Sequence, residues 1–263
     1  MGGFLRIHNN QKNVIMANES VSACINFYND APALHGALES ASRWADNIFC
    51  VNSGPGGAYS NDGSIELCEK FGATVVYDDI EKGFGVIRSR LIHDCGCTFA
   101  FILDSDERFY PQIEMLHCEG TEAYPQVTTP NLSVHPRGTI VNQLAKLRAF
   151  MADPSIMAIR TTRRHWFDFT MRRPCQNWLH VPDHQLRIIR NLPELGYIGS
   201  VKMHERMLDV RTNEEPVYAS QDNYLGLFHD HFHCHYRSKY PGTKEWNETN
   251  YQRLDRGESM LTK

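Results

Sequence analysis

No apolar stretch in this chain approaches the roughly 20 residues that span a bilayer, so the sequence offers no transmembrane helix. No CxxC pair occurs among the eight cysteines (Cys24, Cys50, Cys68, Cys95, Cys97, Cys118, Cys175 and Cys234), which argues against a structural zinc ribbon. Several lie inside apolar runs such as VSACINF and NIFCVN, where a free thiol behaves as a small hydrophobe. That usage points to a reducing, cytoplasmic compartment. Basic charge is not in excess: 27 Lys and Arg face 31 Asp and Glu, which excludes a generally basic nucleic-acid coat protein but leaves room for a local basic surface. The N-terminus, MGGFLRIHNNQKNVIMANES, has neither the apolar core of a signal peptide nor the Ser or Thr at position six that myristoylation favours; Arg6 stands there. With no internal repeat, low-complexity tract or linker, all 263 residues read as one domain.

What is present is a regular alternation. Apolar runs at Val21–Phe27, Asn47–Val51, Thr74–Tyr77 and Thr98–Leu103 read as strands. Helical stretches fall between them: Pro32 to about Trp44, Ser64–Phe71 closed by Gly72, and Gly85–His93. Continuous apolar strands alternating with helices imply an α/β fold, a mostly parallel sheet with helices on both faces. Ligands of such sheets bind beyond the carboxyl ends of the strands. The second half is less regular, with a proline-bearing stretch over 118–138, a helix predicted over Thr139–Ala152, short strands near Ile156–Arg160, Leu186–Ile189 and Tyr197–Val201, and a late helix over Lys244–Leu254.

At the fourth strand, FAFIL runs straight into the acids Asp104, Asp106 and Glu107. A carboxylate at a strand end is costly to bury unless a cation or several donors compensate it. Two aspartates flanking the small Ser105 can face one hard cation, magnesium or manganese, which would neutralise a departing diphosphate. The competing reading is a solvated acidic turn.

The runs ADNIFCVNSGPGG and SNDGSIELCEKFGATVV, then GFGVIRSRL and FAFILDSDERF, resemble the family 2 glycosyltransferases. PDHQLRIIR, KMHERM and HCHYRSKY are similar to the later motifs of the lipopolysaccharide-core β-glucosyltransferase branch, and the resemblance covers about residues 20–255. It implies a GT-A fold with a nucleotide-sugar half over about 20–117 and an acceptor half over about 118–263. It implies a divalent metal, Mn2+ or Mg2+, on Asp104 and Asp106, with His233 completing the site. Asn29, Asp30, Asn52, Asp79 (or Asp78), Arg88 and Asp104 would lie against the donor, a UDP-sugar by the same resemblance. Asp183 would be the general base of an inverting transfer, with Glu205 in reserve. Three departures stand out: Asn52 replaces an aspartate that contacts uracil, Asp30 replaces a glutamate, and the loop GPGGAYSNDG is longer than the family's compact turn.

Other readings of these residues stay open. Asp183 can pair with Arg187 at i+4 instead of serving as a base. In HDHFHCHY, His229, His231, His233 and His235 alternate and would share one strand face, as a zinc site, as one ligand of the catalytic metal, or as acceptor-facing or solvated groups. Between Arg137 and Arg190, ten Lys and Arg outnumber three acids, with Trp166, Phe167, Phe169 and Trp178 interleaved. Such a segment suits a polyanionic acceptor, which is a cell-envelope glycan, a lipid phosphate or a modified base in DNA, or else it is a solvated face over core aromatics. Two further classes share these features. A nucleotidyltransferase would carry a glycine-rich basic loop where FYNDAPAL stands, and a non-catalytic nucleotide-sugar-binding protein would have no need of an intact D-x-D.

Overall fold

The four apolar runs form four parallel strands, β1 (Val21–Phe27), β2 (Asn47–Asn52), β3 (Thr74–Tyr77) and β4 (Phe99–Asp104), in the order β3-β2-β1-β4. The structure is a computed structural model that describes residues 19–114, 139–166, 183–198, 206–209, 211 and 227–232. Helices α1 (Ala31–Ala41), α2 (Ser64–Lys70) and α3 (Phe84–His93) fill the intervals. Pro32 sits in the first turn of α1, where its missing N–H is no loss. Gly72 follows α2 at φ +70°, a backbone that a side-chain-bearing residue adopts only at a cost.

Alternate residues of each strand feed opposite faces. Ile25, Phe27, Phe101 and Leu103 pack toward α1 and α2, while Cys24, Val51, Ala100 and Ile102 pack toward Ile87 and Leu91 of α3. The α/β layering expected from the sequence is therefore observed. Cys24, Cys50, Cys68 and Cys95 are buried free thiols. Among the described residues no helix is long and apolar enough to cross a membrane.

Beyond β4 the sheet continues through β9 (Asp183–Arg190), β8 (Ala158–Trp166), β12 (Phe228–Phe232) and β5 (Glu107–Arg108), in that order. The ladders β4–β9, β9–β8 and β12–β5 are antiparallel, and β8–β12 is parallel. Smaller two-stranded sheets pair β6 (Gln112–Glu114) with β7 (Ile140–Asn142), and β10 (Leu195–Ile198) with β11 (Arg206–Asp209).

This order forces a curl. Four strand spacings separate β4 from β5 in the sheet, about 19 Å if it were flat. Only Ser105 and Asp106 join the two strands along the chain, a reach of at most about 11 Å between Asp104 and Glu107. The sheet must roll up around the DSDE turn, and the side chains facing into the roll lose water. An aromatic trio seats it: Trp44, Phe101 and Phe109, the last directly after β5, have ring centroids 4.9–5.3 Å apart. Gly36 of α1 leaves the room that the Arg108 guanidinium occupies.

Several expectations are corrected in detail. The helix predicted over Thr139–Ala152 is strand β7 followed by α4 (Gln143–Met151). The β-branched Ile140 and Val141 pair with β6, and the Asn142 side chain caps α4 by accepting from the Ala145 N–H at 3.1 Å. The short strands read near 156–160 and 186–189 are longer, nine and eight residues. The stretches 118–138 and Lys244–Leu254 lie outside the described residues.

Phe101 is fully buried at the centre of the trio. Phe101→Ala is expected to cost about 3–5 kcal/mol in urea unfolding, since its neighbours cannot collapse onto the cavity without unseating β5. A loss under about 1 kcal/mol would mean that the roll is held elsewhere.

Candidate functional site

Polar residues crowd the carboxyl edge of β1 to β4, and most of them are occupied with one another. Asn29 adopts φ +46°, a left-handed backbone that asparagine tolerates better than most residues. Its N–H donates to Ser60 Oγ, and its Oδ1 accepts from the Asn61 N–H, both at 2.9 Å. Asn52, fully buried, accepts from the Ser60 N–H and hydroxyl and donates to the Ala58 carbonyl at 2.9 Å. Asp79 accepts from the Gly56 N–H at 2.9 Å. Three of the residues that the resemblance places against a nucleotide thus fasten the glycine-rich loop 54–61. The Asn52 amide is committed to the loop through both its oxygen and its nitrogen. Asp78 is held by Lys82 and Arg90.

Asp30 links the end of β1 to the acidic turn by accepting from the Ser105 hydroxyl. Asp104, last in β4, keeps 35% of its side-chain surface open and lies between two guanidinium groups, Arg88 of α3 and Arg187 of β9, each at 3.1 Å. Burial alone would raise its pKa; Arg187 and then Arg88 reverse this and hold it below the usual value.

Glu107 is the hub of the roll. Its side chain is fully buried. It accepts from Arg187 at 2.6 Å, Arg163 at 3.3 Å and the Asp104 N–H at 3.1 Å. His229 Nε2 lies 3.3 Å away, too poorly aligned for a hydrogen bond, while its Nδ1 shares a 2.8 Å bond with Thr161 Oγ1. Burial works against the Glu107 charge, but Arg187 outweighs it and holds the carboxyl well below its ordinary 4.5. Burial also lowers the His229 imidazole pKa below its ordinary range, against the pull of Glu107.

Asp106 is different. It is buried, and its Oδ2 has no hydrogen-bond partner. The nearest cationic group is His231 Nε2 at 3.4 Å. Burial would lower the His231 pKa, and the Asp106 carboxylate reverses that and raises it above 6.5. Among the described residues no three His, Cys, Asp or Glu side chains are disposed as a complete metal cage. An orphaned carboxylate oxygen beside an imidazole fits a cation that takes its remaining ligands from substrate phosphates and water, the usual habit of Mg2+.

The described parts of the histidine run and of the basic segment face inward. His229 and His231 share one face of β12, as alternation requires, but they are buried against Glu107 and Asp106 and not solvated. On the other face Asp230 takes a bidentate pair from Arg164 at 2.7 and 2.8 Å and the Trp166 N–H at 2.7 Å. Arg163, Arg164, Trp166 and Arg187 therefore serve the interior and not a polyanion in solvent. Arg187 pairs with Asp104 and Glu107, which removes the i+4 partnership with Asp183, because this segment is a strand. Asp183 opens β9 with its backbone across from Arg163. Glu205, His233, Arg172, Arg173 and Trp178 lie outside the described residues. Sequence reading missed Arg187 and His231 as site residues; only the strand alternation of HDHF pointed to the latter.

No protein-family model matches the chain, and no curated protein matches it in sequence. Among solved structures it is similar to glucosyl-3-phosphoglycerate synthase from Mycobacterium tuberculosis in complex with Mn2+, UDP and glucosyl-3-phosphoglycerate, at 16% identity and TM-score 0.34 over 56% of this chain and 44% of that one. It is also similar to S. aureus TarS, at 12% identity and TM-score 0.45 over 81% of this chain and 36% of that one. For TarS residues 1–349 the values are 13% and 0.39 over 65% and 47%. The chain spans less than half the length of each of these proteins.

Glu107→Gln removes the carboxylate that compensates the buried Arg187 and the partly buried Arg163, leaving Arg187 its pair with Asp104, and a loss of about 3–5 kcal/mol is expected from chemical denaturation. The depressed Glu107 pKa contributes stability that is present above 4.5 and lost as pH falls through the lower folded-state value. Thermal midpoints taken between about pH 7 and 3 should fall less steeply in the variant. Parallel curves would remove Glu107 from acid unfolding.

Proposed function

We propose that the chain is a metal-dependent GT-A glycosyltransferase that moves a sugar from a nucleotide-sugar, UDP-linked by the sequence resemblance, to an acceptor hydroxyl. One observation carries this reading: Asp106 Oδ2, buried and without a hydrogen-bond partner, at the carboxyl end of the fourth parallel strand. Every neighbouring carboxylate is compensated by arginine, lysine, hydroxyl or backbone N–H groups, so this oxygen is the position where a cation lowers the energy most. A bound Mn2+ or Mg2+ would neutralise the negative charge that develops on the departing diphosphate.

The chain's own groups take the remaining work. Asp106 and His231 would hold the cation, with Asp104 as the other aspartate of the D-x-D pair. Arg88, reaching from α3 to the partly open Asp104, is placed to exchange that carboxylate for phosphate oxygens. Asp183, at the start of β9, is the candidate base that takes the acceptor proton as the hydroxyl attacks in line, giving inversion. Glu205 remains its alternative and His233 a further metal ligand. The acceptor is read as a cell-envelope glycan or lipid, following the lipopolysaccharide-core branch that the later motifs resemble, with a modified base in DNA as the alternative.

A thermal-shift screen of UDP-, GDP-, ADP- and CMP-sugars with and without Mn2+ tests the donor site. One donor should raise the midpoint only with metal, and Asp106→Ala should abolish the rise, since a ligand that binds only the folded form stabilises it by mass action. No shift with any donor would remove the reading. Asp183→Asn should lower turnover by at least about 100-fold while the donor-induced shift persists; retained turnover would take Asp183 out of the base role.

A further inference from the structure

Loop 54–61 is longer than the compact turn of the resembled family, and three strand ends are spent on holding it still. Asn29 at β1, Asn52 at β2 and Asp79 after β3 supply the fasteners, and Gly56 and Gly57 take the positive φ values, +63° and +76°, that the turn needs. What this rigid loop presents outward is Tyr59, 64% exposed. Its ring meets that of Tyr77, the last residue of β3 and 41% exposed, edge to face with centroids 4.5 Å apart. The Tyr77 carbonyl is itself pinned by Arg90 at 2.7 Å. Two large aromatic faces are thus held in place, in solvent, at the carboxyl edge of the sheet.

Neither ring belongs to either large core cluster. An exposed aromatic surface on a preorganised backbone offers stacking area at little conformational cost. Its location bears on what it takes. β3 lies three strands from β4, about 14 Å along the sheet, on the same edge as Asp106 and Arg88. A nucleoside diphosphate whose phosphates lie at the acidic turn and whose base lies at the Tyr pair would follow that edge.

We propose that Tyr59 and Tyr77 form a stacking surface for the base of the nucleotide donor, a subsite created by this chain's own lengthened loop. The assignment rests on the donor reading above. Stacking selects for a flat ring and not for one base, so it gives affinity, and the polar groups around it give base preference.

The test is calorimetric titration of UDP and of pyrophosphate, each with Mn2+, into the full chain and into Tyr59→Ala, Tyr77→Ala and the two Phe variants. UDP affinity should fall roughly 10- to 100-fold in the Ala variants and return in the Phe variants, with pyrophosphate unchanged throughout. Unaltered UDP affinity in both Ala variants overturns the assignment while leaving the donor reading intact. Equal loss of UDP and pyrophosphate also overturns it, because the tyrosines would then only support the loop. If the unmodified chain binds neither UDP, ADP, GDP nor CDP, the donor reading falls and this assignment falls with it.

Discussion

A carboxylate sealed from water must be answered by charge, and at Glu107 the answer comes from distant parts of the chain. Arg187 arrives on β9 and Arg163 on β8, while β12 sets the His229 imidazole beside them. The Asp104 N–H adds a local bond. Because burial penalises each charge separately, removing one weakens the compensation of the rest. That mutual requirement holds the curl of the sheet, which in turn closes β5 against β12 and carries Asp106 to His231. The position of the acidic turn is thus set less by the turn itself than by the ion pairs behind it.

The carboxyl edge divides its polar residues between construction and opening. Asn29, Asn52 and Asp79 build a loop; Asp78 is neutralised by Lys82 and Arg90; Asp30 holds Ser105. Asp104 sits between two arginines yet stays partly open. Only at Asp106 is a buried carboxylate oxygen of this edge left without a hydrogen bond among the described residues. A site assembled this way needs few ligand-binding side chains, because most of the edge has already been made rigid.

The first four strands and three helices were legible because each is local: an apolar run or a 3.6-residue periodicity declares itself within a dozen residues, and the strand ends follow. The acidic turn was legible for the same reason. The roll of the sheet was not, since it depends on pairings such as Glu107 with Arg187, 80 positions apart, which no local pattern records. The loop-fastening role of Asn52 was not legible, because its residue type suits a nucleotide contact and a loop fastener equally. Arg164 and Trp166 of the arginine-aromatic stretch likewise look like a surface for polyanions until Asp230, 66 positions beyond Arg164, is found between them. Within Thr139–Ala152, a run of helix formers hid the boundary that Asn142 sets.

The seam between β4 and β5 also orders events during synthesis. Glu107 leaves the ribosome well before its partners, and about 120 residues follow before His229 does, an interval on the order of ten seconds at ordinary translation rates. During that time the β3-β2-β1-β4 sheet can form, but Glu107 has no reason to leave water. Its burial waits for β8, β9 and β12, so the acidic turn takes its final shape last although it is encoded in the first half. A nascent chain of this protein would therefore hold a folded four-stranded scaffold while its acids are still hydrated, and would gain the acidic turn's final shape only when the distant strands dock.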